Sequence, residues 1–236
     1  MKTAAVVPAY NEKGKIGRVM EKLGRNLVDL KITIDDGSND GTDDEARRCG
    51  ADVVLRHEKN KGVGASIRTG IDYAIKHGYD IVAILSGDDQ HDPSELPLLL
   101  DPIKSGEFDF VQGSRWLKGG QTPNITVPRR ILTKVYALLF NLAVRFPITD
   151  GTNGLRAFRT DIFKNKSINL WQDWLNTYEL EPYLLYKAIA CGLRVKEAPV
   201  TVRYHSKEIG SSKMVPFRDW WRILKPLIYL RVGIRK

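Results

Sequence analysis

A chain of 236 residues with 42% apolar content can bury one substantial core and lies near the size at which single cores stop growing, so one domain with a small appendage is expected. Its net charge of +9, from 37 basic and 28 acidic residues, favours an anionic partner: a phosphorylated substrate, an anionic membrane surface or nucleic acid. The two cysteines, Cys49 and Cys191, are far apart and in no metal-ligand spacing, which excludes a disulfide framework and reads as two reduced thiols of a cytoplasmic protein.

The N-terminus runs directly into Val6-Val7-Pro8-Ala9-Tyr10-Asn11-Glu12, a short strand ending in a loop, without the pattern of a secretory signal. Helical spacing follows through Ile16, Val19, Met20 and Leu23, with Asn11 placed to cap the helix. Residues 30–36 read as a second strand ending in Gly37-Ser38-Asn39-Asp40-Gly41, a run that favours turns. Thr42 and Glu45 have the spacing of a capping box, and residues 52–56 form a third strand. Strands and helices alternating at this spacing predict a parallel sheet with helical crossovers.

The glycines of the segment 60–70, at 62, 64 and 70, match neither standard nucleotide fingerprint, so the segment reads as a helix start whose small residues allow close packing or a close approach to a ligand. Ile67, Ile71, Ala74 and Ile75 supply the buried face of this helix.

The apolar run 81–85 reads as a buried strand that delivers Ser86-Gly87-Asp88-Asp89-Gln90-His91-Asp92 to its carboxyl end, where open α/β sheets bind ligands. Three carboxylates in five residues repel one another unless a cation or hydrogen-bond donors neutralise them, and hard oxygen ligands suit Mg²⁺ or Mn²⁺. A helix over 96–104 and a strand over 108–112 then bring Gly113-Ser114-Arg115 to the same crevice.

Residues 116–128 form a long loop closed by Arg129 and Arg130. Ile131, Val135, Leu138, Leu139 and Leu142 mark an apolar-faced helix of the core. The longest apolar runs, 135–144 and 226–230, fall short of the ~20 residues that a spanning helix needs, so the chain is not expected to be integral to a membrane.

Asp150-Gly151-Thr152-Asn153-Gly154 is a polar turn feeding a strand, and a helix opens near Tyr178 with Glu179 and Glu181 in its first turn. Matching the helix dipole and serving a site explain those two acids equally well. Residues 193–202 give two short strands. The tail from Phe217 mixes Arg218, Arg222 and Lys225 with Trp221, Leu224 and Ile228, a pattern that suits a helix lying in a membrane interface or one packed on the body.

Pro8-Ala9-Tyr10-Asn11-Glu12, Asp35-Asp36-Gly37-Ser38, the acidic stretch, Gly113-Ser114-Arg115, Gly154-Leu155-Arg156-Ala157-Phe158 and the segment 203–213 occur in the order seen in inverting family-2 glycosyltransferases. Over roughly residues 3–215 the chain most resembles dolichol-phosphate mannose synthases and related polyprenyl-phosphate glycosyltransferases. The resemblance implies a GT-A fold, a Rossmann-like three-layer αβα sandwich with a mainly parallel sheet, over residues 1–215. A basic amphipathic helix over 216–236 follows as a membrane-surface anchor.

The resemblance also implies roles for particular residues. Pro8, Tyr10, Glu12, Asp35 and Asp36 would hold the donor nucleotide. The family's metal motif, Asp-x-Asp followed two residues later by Gln, falls on Ser86-Gly87-Asp88-Asp89-Gln90, with serine replacing the first acid. Asp88 and Gln90 would then ligate Mg²⁺ or Mn²⁺, with Asp89 or water compensating. Arg115, Arg129 or Arg130, Arg203 and Lys213 would bind the acceptor phosphate, and Asp88 and Arg115 would be catalytic.

The expected reaction is hexose transfer, with inversion, from a nucleotide sugar to dolichyl or polyprenyl phosphate. GDP-mannose is the first expectation and UDP-glucose the alternative. A catalytically weak sugar-nucleotide-binding subunit is a further reading, motivated by Ser86. The protein would act peripherally on the cytoplasmic face of a membrane, held there by its tail, its charge, its lipid substrate or a membrane-protein partner. A nucleic-acid partner is set aside, because acids in the predicted crevice would repel phosphates without a metal.

Overall fold

The computed structural model describes residues 1–204 and 217–235. Seven strands, β1 (Thr3–Ala9), β2 (Leu30–Asp35), β3 (Val53–Arg56), β4 (Ile81–Ile84), β5 (Phe110–Ser114), β6 (Arg156–Arg159) and β7 (Val195–Pro199), form one sheet in the order β3-β2-β1-β4-β6-β5-β7. All pairings are parallel except those of β6, which runs antiparallel to both β4 and β5. Of the two short strands expected over 193–202, β7 is regular, and Thr201 and Val202 make only isolated bridges to Gln121 and His91.

Alternation along the strands builds two cores, one on each face of the sheet. In β1, Ala4 and Val6 enter one, while Ala5 and Val7 enter the other. Helices α1 (Ile16–Lys22), α2 (Thr42–Arg48) and α4 (Leu96–Lys104) cover the second face. Helices α3 (Val63–Lys76), α5 (Val127–Val144), α6 (Leu180–Ala190) and α7 (Arg218–Val232) supply the first. The three-layer αβα sandwich expected from the sequence is therefore present. Helix α7 packs against α5 and α6 through Ile223 and Leu227, so the body covers one side of the tail helix.

Local signals were overridden where distant chain offered better partners. Asn11 does not cap α1: it adopts φ 50°, and its Oδ1 accepts from the Asn39 backbone 3.1 Å away. The capping box is absent as well. Thr42 is the first residue of α2, its hydroxyl accepts from the Glu12 backbone at 2.8 Å, and Glu45 accepts from the backbones of Gly14 and Gly17. Both side chains thus fasten the loop after β1 to α2 rather than closing a helix end.

The glycines at the start of α3 serve packing. A Cβ on Gly62 would collide with the Asn176 carbonyl oxygen, and one on Gly64 with those of Leu175 and Thr177. Ile75, expected on the buried face, is exposed, whereas Ile67, Ile71 and Ala74 are buried.

Helix α5 departs furthest from expectation. Ile131, Val135, Leu138, Leu139 and Leu142 are exposed, Leu138 by 59% and Leu142 by 66%. The face turned to the core is Thr133, Tyr136, Ala137 and Phe140. Amphipathic spacing reveals that a helix has an apolar side, but not whether protein covers it.

Candidate active site

The strands of an open parallel sheet leave a crevice at their carboxyl ends, and a cleft of about 570 Å³ lies there. Pro8 enters it from the end of β1, Tyr10 and Glu12 after β1, Asp36 after β2, Ser86, Asp88 and Gln90 after β4, and Arg115 after β5. Because β6 runs antiparallel, its amino end lies at the same edge and adds Thr152, Asn153 and Arg156. The amino-terminal turns of α3, α5, α6 and α7 reach the cleft through Ser66, Arg129, Glu181 and Arg222 respectively. Helix N-termini carry partial positive charge that favours anions, and the first turns of four helices line this cleft.

On the nucleotide side, Asp36 is buried and heavily engaged. Its Oδ1 accepts from Lys61 N at 2.9 Å and its Oδ2 from Gly62 N at 2.8 Å, and Nδ1 of His57 lies 2.7 Å from Oδ1. It therefore shapes the loop that brings Asn60 and Gly62 to the cleft wall. Asp35 does not line the cleft. It is fully buried, accepting from Ser38 N at 3.1 Å with Arg56 3.3 Å away, and it fixes the turn after β2. Glu12 pairs with Lys15 at 3.0 Å, and both line the cleft.

The two adjacent acids after β4 part company. Asp89 has φ 60°, a left-handed conformation that redirects successive side chains. Its carboxylate lies 2.8 Å from both Arg18 and Lys22 on α1 and is absent from the cleft lining. Burial alone would raise its pKa, but Lys22 and Arg18 hold it below the ordinary carboxylate value. Asp89 is thus a tie to α1 and not a spare metal ligand. Ser86, Asp88 and Gln90 remain in the cleft, a set of hydroxyl, carboxylate and amide oxygens suited to a hard divalent cation. Among the described residues no cluster of three or more His, Cys, Asp or Glu side chains is arranged to hold a metal.

Arg115 is buried, and its fork is largely committed. Nε and Nη2 grip the two oxygens of Asp150 at 2.5 and 2.9 Å, Nη2 also reaches Thr152 at 2.8 Å, and Nη1 donates to the Tyr204 hydroxyl. Four of its five N–H donors are thereby used, so the expected bidentate grip on a phosphate is already taken by Asp150. Glu197 accepts from the backbones of Thr149 and Asp150 at 2.7 and 2.8 Å and holds that turn in place.

Of the other expected acceptor contacts, Arg129 lines the cleft, with its guanidinium 4.8 Å from the Tyr204 ring. Arg130 is exposed outside it, and Arg203, also outside, pairs with Asp92 at 3.0 Å. Lys213 lies outside the described residues.

Sequence reasoning missed several cleft residues because their partners are far away in the chain. Arg156 is almost wholly buried and donates to the carbonyls of Glu181 and Asn153 at 2.8 and 2.6 Å. Its Nε, like Nδ2 of Asn153, has no hydrogen-bond partner among the described residues. Glu181, 3.2 Å from Arg156, lines the cleft, its pKa raised by burial and only partly offset by that arginine. Glu179 is instead a structural tie, paired with Lys225 of α7 at 3.3 Å. The Tyr178 hydroxyl is pushed up to about 12 by burial and by the charges of Asp219, Glu181 and Asp88. Burial, then the Arg115 charge, bring the His91 imidazole down to about 4, which favours its neutral form. Its Nε2 meets Asn153 at 3.0 Å, and its Nδ1 accepts from the Ser86 backbone at 3.3 Å.

A cleft at the carboxyl edge of a mainly parallel sheet, lined by helix N-terminal turns, an oxygen-rich corner and buried arginines, is the ligand-binding crevice of an open α/β fold. Residues 4–165 match glycosyl transferase family 2, and the chain belongs to that family of glycosyltransferases.

Among its relatives, polyprenol monophosphomannose synthase of Mycolicibacterium smegmatis is 30% identical over 219 residues, covering 90% of this chain and 81% of that protein. UDP-N-acetylglucosamine–dolichyl-phosphate N-acetylglucosaminyltransferase of Methanococcus voltae is 28% identical over 237 residues, covering 93% of each. Glucosyl-3-phosphoglycerate synthase from Mycobacterium tuberculosis, solved with Mn²⁺, UDP and glucosyl-3-phosphoglycerate, superposes with a TM-score of 0.71 at 20% identity, covering 100% of this chain and 81% of that one. The GT-A fold expected from the sequence is borne out.

Proposed function

We propose that this glycosyltransferase moves a hexose, with inversion, from a nucleotide sugar to a polyprenyl or dolichyl phosphate at a membrane surface. The observation that carries the reading is the union of an anion-receiving cleft with an uncovered apolar helix face. Arg129 lines the cleft from the first turns of α5, and farther along the same helix Ile131, Val135, Leu138 and Leu142 are exposed. A lipid phosphate needs both features, a polar pocket for its head and an apolar surface beside it. Helix α7, packed on α5, adds exposed Trp221, Ile228 and Val232 together with Arg218, Arg222 and Arg231. Tryptophan and basic side chains beside an apolar face suit the bilayer interface, where each cation near an anionic surface contributes about 1 kcal/mol. No helix among the described residues is long and apolar enough to cross a membrane, so contact through this face is the form of association proposed.

The chemistry follows from the groups in the cleft. The donor nucleotide lies along Pro8, Tyr10, Glu12 and the loop held by Asp36, with its diphosphate toward Asp88 and the helix N-termini. Asp88 and Gln90, with the Ser86 hydroxyl, are the residues that would hold Mg²⁺ or Mn²⁺, and this ion would supply Lewis-acid stabilisation of the departing diphosphate. An acceptor phosphate is already ionised at neutral pH, so it needs orientation rather than a general base. Arg129 is placed to give that orientation, and Arg115, held by Asp150, fixes the cleft wall behind it. The names of the relatives support mannose and N-acetylglucosamine as sugars for this class of reaction. GDP-mannose is the first donor to test and UDP-glucose the second.

Vesicles containing undecaprenyl phosphate and anionic lipid test the reading. The wild-type protein is expected to bind them and convert label from a nucleotide sugar into an organic-extractable product. The exposed-face variant Leu138→Glu/Leu142→Glu is expected to lose at least about tenfold in vesicle binding, since burying a leucine side chain contributes about 1.5–3 kcal/mol. Its nucleotide affinity should be unchanged. Equal vesicle binding by both proteins would remove α5 from the membrane.

A further inference from the structure

The cations of the cleft differ in how far they are neutralised. Lys15 faces Glu12 at 3.0 Å, Arg115 faces Asp150 at 2.5 Å, and Arg156 lies 3.2 Å from Glu181, each cation against a carboxylate. At the start of α7 the balance changes. Arg218 through Nε, at 3.1 Å, and Arg222 through Nη1, at 3.2 Å, both meet the same oxygen of Asp219. Asp219 is only 1% exposed, whereas the two arginine side chains are 59% and 33% exposed, and all three residues line the cleft. Among the described residues, two guanidinium groups on one carboxylate leave this trio with one surplus positive charge. Each contact uses one edge of a guanidinium, which has five donors in all.

Helix α7 has two other jobs on the same few turns. Ile223 and Leu227 anchor it to the core beside α5 and α6, and Trp221, Ile228 and Val232 face outward. One rigid element therefore holds a surplus-charge arginine pair in the cleft and an apolar strip outside it.

We propose that Arg218 and Arg222, held by Asp219, are phosphate ligands for the acceptor, supplied by the same helix that rests on the bilayer. The inference rests on the lipid-phosphate reading above and adds residues to its acceptor site. Asp219 is a positioning residue: it fixes both guanidinium groups and offsets half of their charge, so that a dianionic phosphate can enter without expelling them. Recognition of the acceptor head and docking beside its tail are then carried by one element, and an acceptor phosphate whose prenyl tail lies in the membrane meets its ligands at the membrane face of the cleft.

Farnesyl phosphate, short enough to bind without a vesicle, separates these roles. Its affinity is to be measured by calorimetry for the full chain and for Arg218→Gln, Arg222→Gln and the double variant, with nucleotide affinity and thermal stability measured alongside. Expected is a weakening of farnesyl phosphate binding of roughly tenfold for each lost charge-assisted contact. Nucleotide affinity should stay within about twofold, and Arg218→Lys should restore binding only in part because an ammonium lacks the planar fork.

Wild-type binding of farnesyl phosphate that the double variant retains in full would overturn this inference and leave the lipid-phosphate reading standing. The same result accompanied by weaker binding to anionic vesicles would make the arginines membrane contacts only. No binding of farnesyl phosphate by the wild-type protein would overturn both. Arg218 is exposed enough that its substitution should not unfold the protein, so the single variant keeps the comparison decisive.

Discussion

Replacing Asp88 by alanine is expected to reduce turnover by about 10²–10³-fold or more at saturating donor, the scale seen when a group that stabilises developing transition-state charge is removed. Asp88 is the only carboxylate of the stretch after β4 that combines a place in the cleft lining with the position of the metal motif. Its neighbour supplies the control. Asp89 pairs with Arg18 and Lys22 and does not line the cleft, so Asp89→Asn should cost stability and leave most of the turnover intact. Ser86→Asp, which restores a second acid in the cleft, should tighten Mg²⁺ or Mn²⁺ binding because affinity rises with ligand charge. Steady-state rates and metal titrations on the three variants check this. Near-normal turnover by Asp88→Ala, or full wild-type activity in excess chelator, would refute the metal assignment.

The second large effect is on stability. Asp150 is completely buried, and its charge is balanced by the bidentate grip of Arg115. Removing one member of a buried pair leaves the other uncompensated, at a cost of about 3–5 kcal/mol. Arg115→Ala should therefore lower stability to urea by that amount, and Arg115→Lys by less, since charge is kept and the fork is lost. The double variant Arg115→Met/Asp150→Leu should be less destabilised than the sum of its two single changes, because no orphan charge remains. An Arg115→Ala variant within 1 kcal/mol of wild type would show that the pair matters little, and would return Arg115 to the role of a free phosphate ligand.

These two cases mark what the sequence made legible. Asp88 sits four residues past β4, a strand whose apolar run announces it, and its position at the crevice follows from strand polarity alone. The same local logic placed Pro8, Tyr10, Glu12 and Asp36. Arg115 reached the crevice for that reason too, but Asp150, 35 residues later, could not be identified as its partner from spacing, so its guanidinium was read as open. Asp219 and Arg222 were hidden for a related reason. They arrive from a helix read as an anchor, and only packing of α7 against α5 and α6 brings its first turn to the cleft.

Thr42 and Glu45 illustrate how tertiary partners displace a local motif. Their side chains satisfy N–H groups of Glu12, Gly14 and Gly17 instead of the start of α2. The leucines of α5 show the opposite limit. Their periodicity was read correctly as one apolar face, but a pattern cannot say whether that face meets protein, and here it is exposed.

The identity of the acceptor is tested most directly by offering one donor and two lipids that differ only in a phosphate. With labelled nucleotide sugar, Mn²⁺ and either undecaprenyl phosphate or undecaprenol in the same vesicles, the expected result is glycosylated lipid from the phosphate alone. The hydroxyl of undecaprenol must lose a proton as it attacks and so needs a general base, whereas the lipid phosphate is already ionised and needs only to be oriented. Equal or better transfer to undecaprenol would contradict the lipid-phosphate assignment and place the enzyme among glycosyltransferases that act on hydroxyl acceptors.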